Sequence, residues 1–415
     1  MKIIIPTLFT VMTLAACQVK SEVNTSMSSQ ETVATSSAKA TVSNASMVTG
    51  DTAYFSEKDL DASYDAATAS TIQLSGSSAE VSGDGVSVSG DGVSVSGSVV
   101  KITQAGTYII SGSSQGVQIL VEGTNNDDVQ IVLNGVTMKG TDALIAVNSA
   151  DNVYITLAEG TQNTLTDSVN RTATDYSAAI YSKKDLTLNG TGSLTVEGNY
   201  NNAIKSNDDL KIAGGTYTVT AAKHALSAND TLNITGATLN LTAIEDGIHS
   251  DNDEDINLGN LYIENSNINI TAGDDAIHAT NELVIDSGNI TIQSSMEGIE
   301  GKVITINGGT ITLNASDDGI NATDWTKSSD SMMAMEGVSL TINGGDITIN
   351  MAAGDTDAID SNGDLTITGG NITITGLSVF DVDGDITHTG GNIVANGQQV
   401  HQVINSMMGG GMKRR

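Results

Sequence analysis

A small residue followed by a bulky apolar residue recurs along this chain at intervals close to 22 residues, and this repeat strongly constrains the fold. The pairs are Ala179-Ile180, Ala203-Ile204, Ala225-Leu226, Gly247-Ile248, Ala276-Ile277, Gly298-Ile299, Gly319-Ile320, Ala358-Ile359 and, more loosely, Val379-Phe380. Their second members are separated by 24, 22, 22, 29, 22, 21, 39 and 21 residues. A period of this length is the signature of a solenoid, in which each repeat forms one coil that stacks on the next.

The content of one repeat indicates strands rather than helices. Residues 298–316 contain the apolar stretches GIE, VITI and TITLN, which are separated by small or glycine-rich turns. The chain has 44 glycines, a single proline and 3% aromatic residues, a composition that favours short strands between turns. Three strands per coil of about 22 residues predict an all-β fold, a single-stranded right-handed parallel β-helix, with the handedness taken from the rule for parallel crossovers. A leucine-rich repeat would need a helical segment and a leucine framework that the sequence does not contain.

Strand alternation predicts which side chains enter the core of a coil. Ile304, Ile306, Ile311 and Leu313 should point inward, and Thr305, Thr310 and Thr312 should point outward. Strict alternation would also bury the acid two places before the repeated isoleucine, which is costly for an unpaired carboxylate. We therefore expect a bend at that point, with the acids projecting from a corner. Residues 54–175 are interpreted as strands of less regular coils that lead into and cap the same solenoid.

Acidic residues are concentrated at this corner in the C-terminal coils, in motifs such as SDDGINATD at 316–324. Like charges stacked in neighbouring coils repel unless a cation lies between them. Because Ca²⁺ takes six to eight oxygen ligands, we predict one or more calcium sites there. The predicted ligands are Asp246, Asp274, Asp275, Glu297, Asp317, Asp318, Asp357 and Asp360. The alternative is that these acids accept hydrogen bonds from local backbone amides in Asx turns and are otherwise solvated.

Other metal motifs receive less support. The segment DNDEDINLG at 251–259 has alternate acids, but Ile256 stands where an EF-hand needs glycine and Tyr262 where it needs glutamate. His249 and His278 share the position after the isoleucine without a Cys/His cluster around them. Zinc is therefore poorly supported, and a solvated or acid-paired histidine is the preferred interpretation.

The 39-residue step contains an excursion at 323–339 with the only tryptophan, Trp325, and several methionines. A tryptophan on a long loop beside an acidic face suits stacking on a sugar ring. The alternative is that Trp325 and the methionines attach the loop to the solenoid. The candidate carbohydrate-binding residues are Trp325, His249 and His278.

The N-terminus predicts export. Lys2, a short apolar run and the sequence Leu14-Ala15-Ala16-Cys17 indicate a lipoprotein signal peptide over residues 1–17, with Cys17 as the lipidation site. An ordinary signal peptide that leaves an unmodified cysteine is the alternative. Residues 18–50 are Ser/Thr-rich and predict a flexible tether, 51–400 the β-helix, and 401–415 a Met/Gly-rich basic tail. The expected location is the cell envelope, at the outer membrane if the cell is Gram-negative.

The net charge of −32 limits the direct partners of the chain. Nucleic acid and anionic membrane surfaces would be repelled, so we expect membrane contact through the lipid anchor alone. An acidic polysaccharide is compatible with this charge if divalent ions bridge the two sets of carboxylates.

Several motifs in order resemble the bacterial carbohydrate-binding domain family. They include YFSEKDLDASYD at 54–65, VQIVLNGVTM at 129–138, VYITLAEGTQNTLTD at 153–167 and the repeated DDGI and INGGTITL, and the resemblance covers about residues 54–400. It implies a calcium-binding right-handed parallel β-helix, related in fold to pectate lyases, that binds acidic or other cell-wall polysaccharides. The matching acid motifs are Glu245-Asp246, Asp274-Asp275, Asp317-Asp318 and Asp357 after Thr356. NNAIK at 202–206 and KHALS at 223–227 depart from the motif, which implies that those coils hold no ion.

Binding is favoured over catalysis by the scarcity of basic residues. A polysaccharide lyase would need calcium and a nearby base, usually Lys or Arg. Arg171 is the only arginine outside the tail, and Lys205 is two coils, or roughly 9.6 Å, from His249 in the same predicted column. A structural adhesin, in which the solenoid is only a calcium-stiffened spacer, is the third possibility, and retention on a glycan would separate it from a binding protein.

Overall fold

The structure, a computed structural model, describes residues 48–89, 98–171, 175–327, 333–353 and 356–405. The signal peptide with Cys17, most of the tether and the end of the tail lie outside these residues. Within them, 34 strands join in one hydrogen-bonded sheet, and the helix α1 covers Glu57–Leu60. No helix among the described residues combines the length and apolar character that a membrane span requires.

The strands stack in three parallel rows, which form the faces of a β-helix. The first row contains β3 (Val86–Ser89), β4 (Val99–Ile102), β6 (Gln118–Glu122), β8 (Ile145–Ser149), β11 (Ala178–Ser182), β13 (Asn202–Ser206), β15 (Leu226–Ala228), β18 (Ile248–Ser250), β21 (Ile277–Ile285), β23 (Ile299–Ile306), β25 (Ile320–Ala322), β28 (Asp357–Ser361) and β31 (Ser378–Val382). The second contains β5 (Gly106–Gln115), β7 (Asp128–Gly140), β9 (Asn152–Leu157), β12 (Asp185–Gly198), β14 (Leu210–Ala221), β16 (Thr231–Thr235), β19 (Asn260–Glu264), β26 (Ser339–Ile342), β29 (Asp364–Ile367) and β32 (Ile386–His388). The third contains β1 (Ser70–Gly76), β2 (Ser78–Ser82), β10 (Gln162–Asp167), β17 (Thr238–Ala243), β20 (Asn267–Thr271), β22 (Asn289–Ser295), β24 (Thr310–Ala315), β27 (Asp346–Met351), β30 (Asn371–Thr375), β33 (Asn392–Ala395) and β34 (Gln398–Val400).

Long strands connect the rows, and hairpins occur at the ends of the stack. The second halves of β21 and β23 continue into the second row, and those of β5, β7, β12 and β14 continue into the third. The pairs β1–β2, β3–β4 and β33–β34 are antiparallel, whereas the other pairings of the described strands are parallel. The predicted all-β solenoid of parallel coils is confirmed.

The register reproduces the repeat read from the sequence. Ile180 pairs with Ile204, and the series continues in order through every predicted position to the pair Ile359 and Phe380. The same ladder extends upstream through Ile145 and Ile119 to Val100, where the spacing in the sequence is irregular. The upstream strands therefore belong to the same stack.

Alternation within a coil is also as predicted. Ile304, Ile306, Ile311 and Leu313 are fully buried, whereas the threonines between them are half-buried or exposed. Stacked isoleucines, leucines and valines form one continuous hydrophobic cluster along the axis. Burying each such side chain contributes about 1.5–3 kcal/mol, so the interior of the coils is the main source of stability.

Two glycine positions are required by close approach or by backbone angle. A Cβ at Gly319 would lie 2.4 Å from the carbonyl oxygen of Ala358 and 2.7 Å from Cγ2 of Ile349, because the chain bends here against the next coil. Gly309, in the turn between the second and third rows, has a φ of +93°, and Gly345 repeats this in the next coil with +98°. Only glycine adopts that region without strain, which explains the recurring Asn-Gly-Gly motif.

Residues 48–61 form a strap that lies across the second row. Tyr54 stacks on Tyr262 with ring centroids 3.6 Å apart and an interplanar angle of 9°, and Phe55 and Leu60 pack in the same cluster. The buried Asp59 accepts a hydrogen bond from Thr187 Oγ1 at 2.6 Å. The interpretation of residues 54–175 as strands throughout is therefore wrong at its start, since the described chain enters its first strand only at Ser70.

Candidate functional site

The candidate site lies at the corner where the third row turns into the first. The chain bends there as predicted, but the two acids of each motif have different environments. Asp274 and Asp317 are exposed, whereas Asp246 and Asp275 are buried, with exposed fractions of 5% and 9%. The expectation that both acids project into solvent is therefore wrong for these second acids, because specific partners offset the cost of their burial.

One of those partners is the backbone of the next coil. Asp246 Oδ1 accepts a hydrogen bond from the Asp275 amide at 3.0 Å, and Asp318 Oδ1 accepts one from the Asp357 amide at 3.2 Å. Asn202 and His224 act in the same way, with their Oδ1 and Nδ1 atoms accepting from the amides of His224 and Asp246. The corner needs a side-chain acceptor because its amide has lost the regular strand partner. The acids thus do bind amides, but across coils rather than within local Asx turns.

Three imidazoles stack in the adjacent part of the corner. The rings of His224 and His249 are 3.9 Å apart at 3°, and those of His249 and His278 are 5.0 Å apart at 18°. His249 Nδ1 is 2.6 Å from Asp246 Oδ2, and His278 Nδ1 is 3.1 Å from Asp275 Oδ2. The predicted acid pairing of these two histidines is confirmed. Trp325 continues the aromatic series, with its ring 6.2 Å from that of His278.

The charge states along the stack differ from coil to coil. Burial lowers the pKa of His224. Burial would also lower the pKa of His278, but hydrogen bonds and charge from Asp275 and Glu300 raise it to about 10, so this ring is cationic at neutral pH. Burial alone would raise the pKa of Asp246, yet contact with the two neighbouring histidines holds it below its usual range.

A carboxylate pair follows in the next coil. Asn321 Nδ2 donates to Glu297 Oε2 at 3.0 Å and to Glu300 Oε2 at 3.1 Å. Burial and the neighbouring Glu300 raise the pKa of Glu297 to about 10, whereas the imidazole of His278 holds the pKa of Glu300 below its ordinary value against the effect of burial. This pair therefore shares one proton, as like charges in close contact require.

The last coils of the corner contain acids without a histidine between them. Burial raises the pKa of Asp318 to about 6, with further repulsion from Asp317 and Asp357. Burial and then repulsion from Asp318 and Asp381 raise the pKa of Asp360 to about 8. Asp360 pairs in register with Asp381, so the column continues to the end of the stack.

Not all of the predicted metal ligands come together. Within the described residues, acid and histidine ligand atoms approach one another within 4.8 Å as triplets at two places, and both contain histidine. The triplets are His224–Asp246–His249 and Asp275–His278–Glu300. Of the predicted calcium ligands they include Asp246 and Asp275, but not Asp274, Glu297, Asp317, Asp318, Asp357 or Asp360.

Two depressions meet at Trp325, whose exposed fraction is 46%. One, of about 320 Å³, contains the histidine stack and the acids around it. The other, of about 430 Å³, has Thr280 and Lys302 from intermediate coils, with Asn252, Asp253 and Ile256 on one side and Asp324, Trp325, Thr326 and Lys327 on the other. We call this second depression the loop groove. Its two sides are the insertions that lengthen the 29- and 39-residue steps, brought together across three coils, or about 14 Å.

The excursion after Ala322 is attached by a methionine rather than by its tryptophan. Met335 packs against the core, while Met333 and much of Trp325 face solvent. The predicted exposure of Trp325 is therefore confirmed, and one of the methionines serves the attachment role that was the alternative.

Several site residues were missed in the sequence. His224 and Glu300 stand in the same two columns as the predicted residues, so the column alignment held the signal for both. Asn321 also follows a repeated isoleucine, where an amide can donate to two acids. Ile256 and Lys302 carry no such signal, because their proximity depends on which coils bear the insertions.

Comparisons with known proteins agree with this architecture. A family model described as carbohydrate-binding domain-containing protein matches residues 96–327, more than half of the 415 residues. A carbohydrate-binding domain-containing protein from Acetivibrio thermocellus is 42% identical over 127 residues, which cover 29% of this chain and 44% of the relative. The chain thus spans less than half the length of that relative.

A solved structure is also similar. It is described as the polysaccharide lyase-like protein from C. thermocellum, gadolinium derivative, and is 26% identical, with a TM-score of 0.46 over 77% of this chain and 99% of the other. The match of the family model, over residues that form both histidine-containing triplets and much of the loop groove, confirms the resemblance read from the motifs. The chain belongs to the family of carbohydrate-binding domain-containing proteins.

Proposed function

We propose that this protein is an exported, surface-anchored, calcium-dependent binding protein for an acidic polysaccharide of the polygalacturonate type. The observation that carries the proposal is the loop groove, in which an exposed tryptophan lies beside two lysines on an otherwise acidic chain. Family membership supports the polysaccharide as the ligand class. Calcium, the acidic character of the glycan and the location are the finer parts of the proposal.

Sugar binding follows from the side chains of the loop groove. Trp325 and Ile256 are exposed by 46% and 76%, and flat apolar surfaces of this kind stack on the CH faces of sugar rings. Lys302 Nζ and Lys327 Nζ are 3.4 and 2.9 Å from the same oxygen of Asp324. Because two ammonium groups share one carboxylate, a positive charge is left to attract the carboxylate of a uronate ring.

Calcium binding follows from the acids of the last coils. Asp318, Asp357, Asp360 and Asp381 occupy neighbouring positions of the corner, and their mutual repulsion raises the pKa of Asp360. A divalent cation coordinated by oxygen atoms would offset that repulsion, and its remaining coordination positions could accept uronate oxygens. The ion would thus connect the acidic corner to an acidic glycan.

Export and anchoring rest on the N-terminal sequence. The segment Leu14-Ala15-Ala16-Cys17 supports cleavage before Cys17 and lipidation of its thiol. Cell fractionation of the wild type and a Cys17→Ser variant checks this part. The variant should leave the membrane fraction, and an unchanged distribution would refute the anchor.

The binding experiment uses full-length protein in mild detergent with immobilised polygalacturonate, first with calcium and then with chelator. The proposal predicts retention with calcium, release with chelator and no unsaturated product in the liquid. Trp325→Ala and the double variant Asp318→Asn/Asp360→Asn should each reduce retention at least tenfold. Asp84→Asn, an exposed acid at the start of the stack, is the matched charge control and should bind as the wild type does.

Each contrary outcome points to a different function. Unsaturated product would identify a lyase rather than a binding protein. Equal retention with and without calcium would remove the ion from the mechanism but keep the groove. Lack of retention on this and other cell-wall glycans would support the structural role of the solenoid.

A further inference from the structure

We propose that His224, Asp246 and His249 form a site for a divalent transition-metal ion of the zinc class, separate from the calcium positions of the last coils. The site is independent of the carbohydrate proposal, since neither the loop groove nor the acids after Glu300 contribute a ligand. It includes a residue of the KHALS coil, which departs from the acid motif.

The donor atoms already converge. Asp246 Oδ2 is 3.1 Å from His224 Nδ1 and 2.6 Å from His249 Nδ1, and one ligand atom from each residue lies within 4.8 Å of the others. Two ligands that are each about 2.0–2.1 Å from a tetrahedral zinc ion are about 3.4 Å apart. A small outward movement of the two imidazoles would therefore open the coordination space.

The hydrogen bonding of the two rings favours a metal. His224 Nδ1 accepts the Asp246 amide, so this nitrogen is unprotonated and presents its lone pair toward the cluster. His249 Nδ1 is buried close to Asp246 without a hydrogen bond of normal geometry. A buried polar nitrogen without a partner is costly, and a coordinated ion would satisfy it.

Carboxylates stand near the opposite nitrogen of each ring. His224 Nε2 is 3.6 Å from Glu245 Oε2, and His249 Nε2 is 3.8 Å from Asp251 Oδ2. A carboxylate on the far side of the imidazole is the usual orienting partner of a metal-binding histidine. Small rotations would bring these contacts within hydrogen-bonding range.

The donor set selects the type of ion. Two imidazole nitrogens and one carboxylate suit zinc, nickel or copper, whereas calcium requires oxygen donors. The Asp275–His278–Glu300 triplet differs, because it has one ring and its Nδ1 already lies 3.1 and 2.9 Å from two carboxylates. The proposed site also lines an open depression of about 320 Å³, so an ion can enter from solvent and keep water as its fourth ligand.

Neighbouring coils supply conservative substitutions for a test. Asn202 occupies the position of His224 one coil earlier and still accepts the next amide, so His224→Asn keeps the corner hydrogen bond. Ser227 occupies the position of His249, so His249→Ser places a residue that this column already contains. His401→Ser, an exposed histidine near the C-terminal end, is the matched control.

The experiment titrates chelator-treated full-length protein with Zn²⁺ and, separately, with Ca²⁺ by calorimetry. We expect one zinc ion to bind in the presence of excess calcium, with a loss of affinity of at least tenfold in His224→Asn and in His249→Ser. His401→Ser and Asp360→Asn should leave zinc affinity within twofold. Zinc binding that the two histidine variants do not weaken, or that Asp360→Asn weakens equally, would overturn the proposal.

A spectroscopic measurement keeps the test decisive if a variant fails to fold. X-ray absorption of the zinc-loaded wild type should show two imidazole ligands with nitrogen and oxygen distances of about 2.0–2.2 Å. A spectrum without imidazole scattering, or the absence of zinc binding, would refute the site. Because the titration contains no glycan, its failure is distinguishable from a failure of polysaccharide binding.

Discussion

Asp360→Asn should stabilise the calcium-free protein at neutral pH. Burial and four neighbouring acids raise the pKa of Asp360 from 3.8 to about 8. At pH 7 the carboxyl group is therefore protonated in the folded state and ionised in the unfolded state. Each pH unit between 3.8 and 7 costs about 1.4 kcal/mol, which gives about 4 kcal/mol as an upper bound and about 2 kcal/mol once neighbouring acids adjust their protonation.

The sign of the pH dependence follows from proton binding. Between pH 3.8 and about 8 the folded state binds more protons at Asp360 than the unfolded state does, so the stability of the wild type falls as the pH rises through this range. The contribution is fully favourable below pH 3.8 and becomes constant above about pH 8. Asparagine does not titrate, so the variant should lose this part of the slope.

Urea denaturation in chelator at pH 5 and pH 7 measures both effects, with Asp84→Asn as the control. The variant should exceed the wild type by about 2–4 kcal/mol at pH 7 and by clearly less at pH 5. Added calcium should stabilise the wild type, by about 2.7 kcal/mol at a hundredfold excess over its dissociation constant, and stabilise the variant less. A variant that is less stable than the wild type at pH 7 in chelator would show that Asp360 is not electrostatically strained.

Three further predictions concern the coil and the strap. Ile304→Ala should reduce the free energy of unfolding by about 2–5 kcal/mol in urea titrations because it leaves a cavity in the continuous core, and an effect no larger than that of Thr305→Ala would contradict this. Gly319→Ala should destabilise by more than about 1 kcal/mol because its Cβ would meet the carbonyl of Ala358 at 2.4 Å, whereas the reverse change Ala276→Gly should cost about 1 kcal/mol or less; equal effects in thermal melts would refute the steric explanation. Tyr54→Ala should detach the strap and increase hydrogen exchange and proteolysis of residues 48–61, with little change in the melting of the coils, and unchanged exchange would mean that stacking on Tyr262 does not hold the strap.

The repeated elements were predictable because burial imposes a period that sequence alone reveals. Ile277, Ile299 and Ile320 had to stack if every coil contributes one side chain to the same part of the core, and the register confirms it. The strap was missed for the opposite reason. Tyr54 and Phe55 contact Tyr262 about 200 residues away, and a single contact of that kind leaves no period in the sequence.

The chemistry of the corner was only partly predictable. Column alignment brought His249 and His278 together, but the burial of Asp246 depends on its contacts with two rings and one amide of neighbouring coils. Those contacts involve side-chain geometry that spacing does not specify. The loop groove was hidden as well, because residues 251–259 and 323–327 become neighbours only when the coils between them are stacked.

The two insertions also make the width of the loop groove a discrete quantity. Its sides are separated by a whole number of coils, and each coil adds about 4.8 Å along the axis. Removing one 22-residue coil, such as the one from Ile277 to Gly298, would keep the register of the columns and narrow the span from about 14 to about 10 Å, while duplicating that coil would widen it to about 19 Å. Proteins built this way can therefore change the length of polymer that they accept in steps of one repeat, without redesigning a single side chain that contacts it.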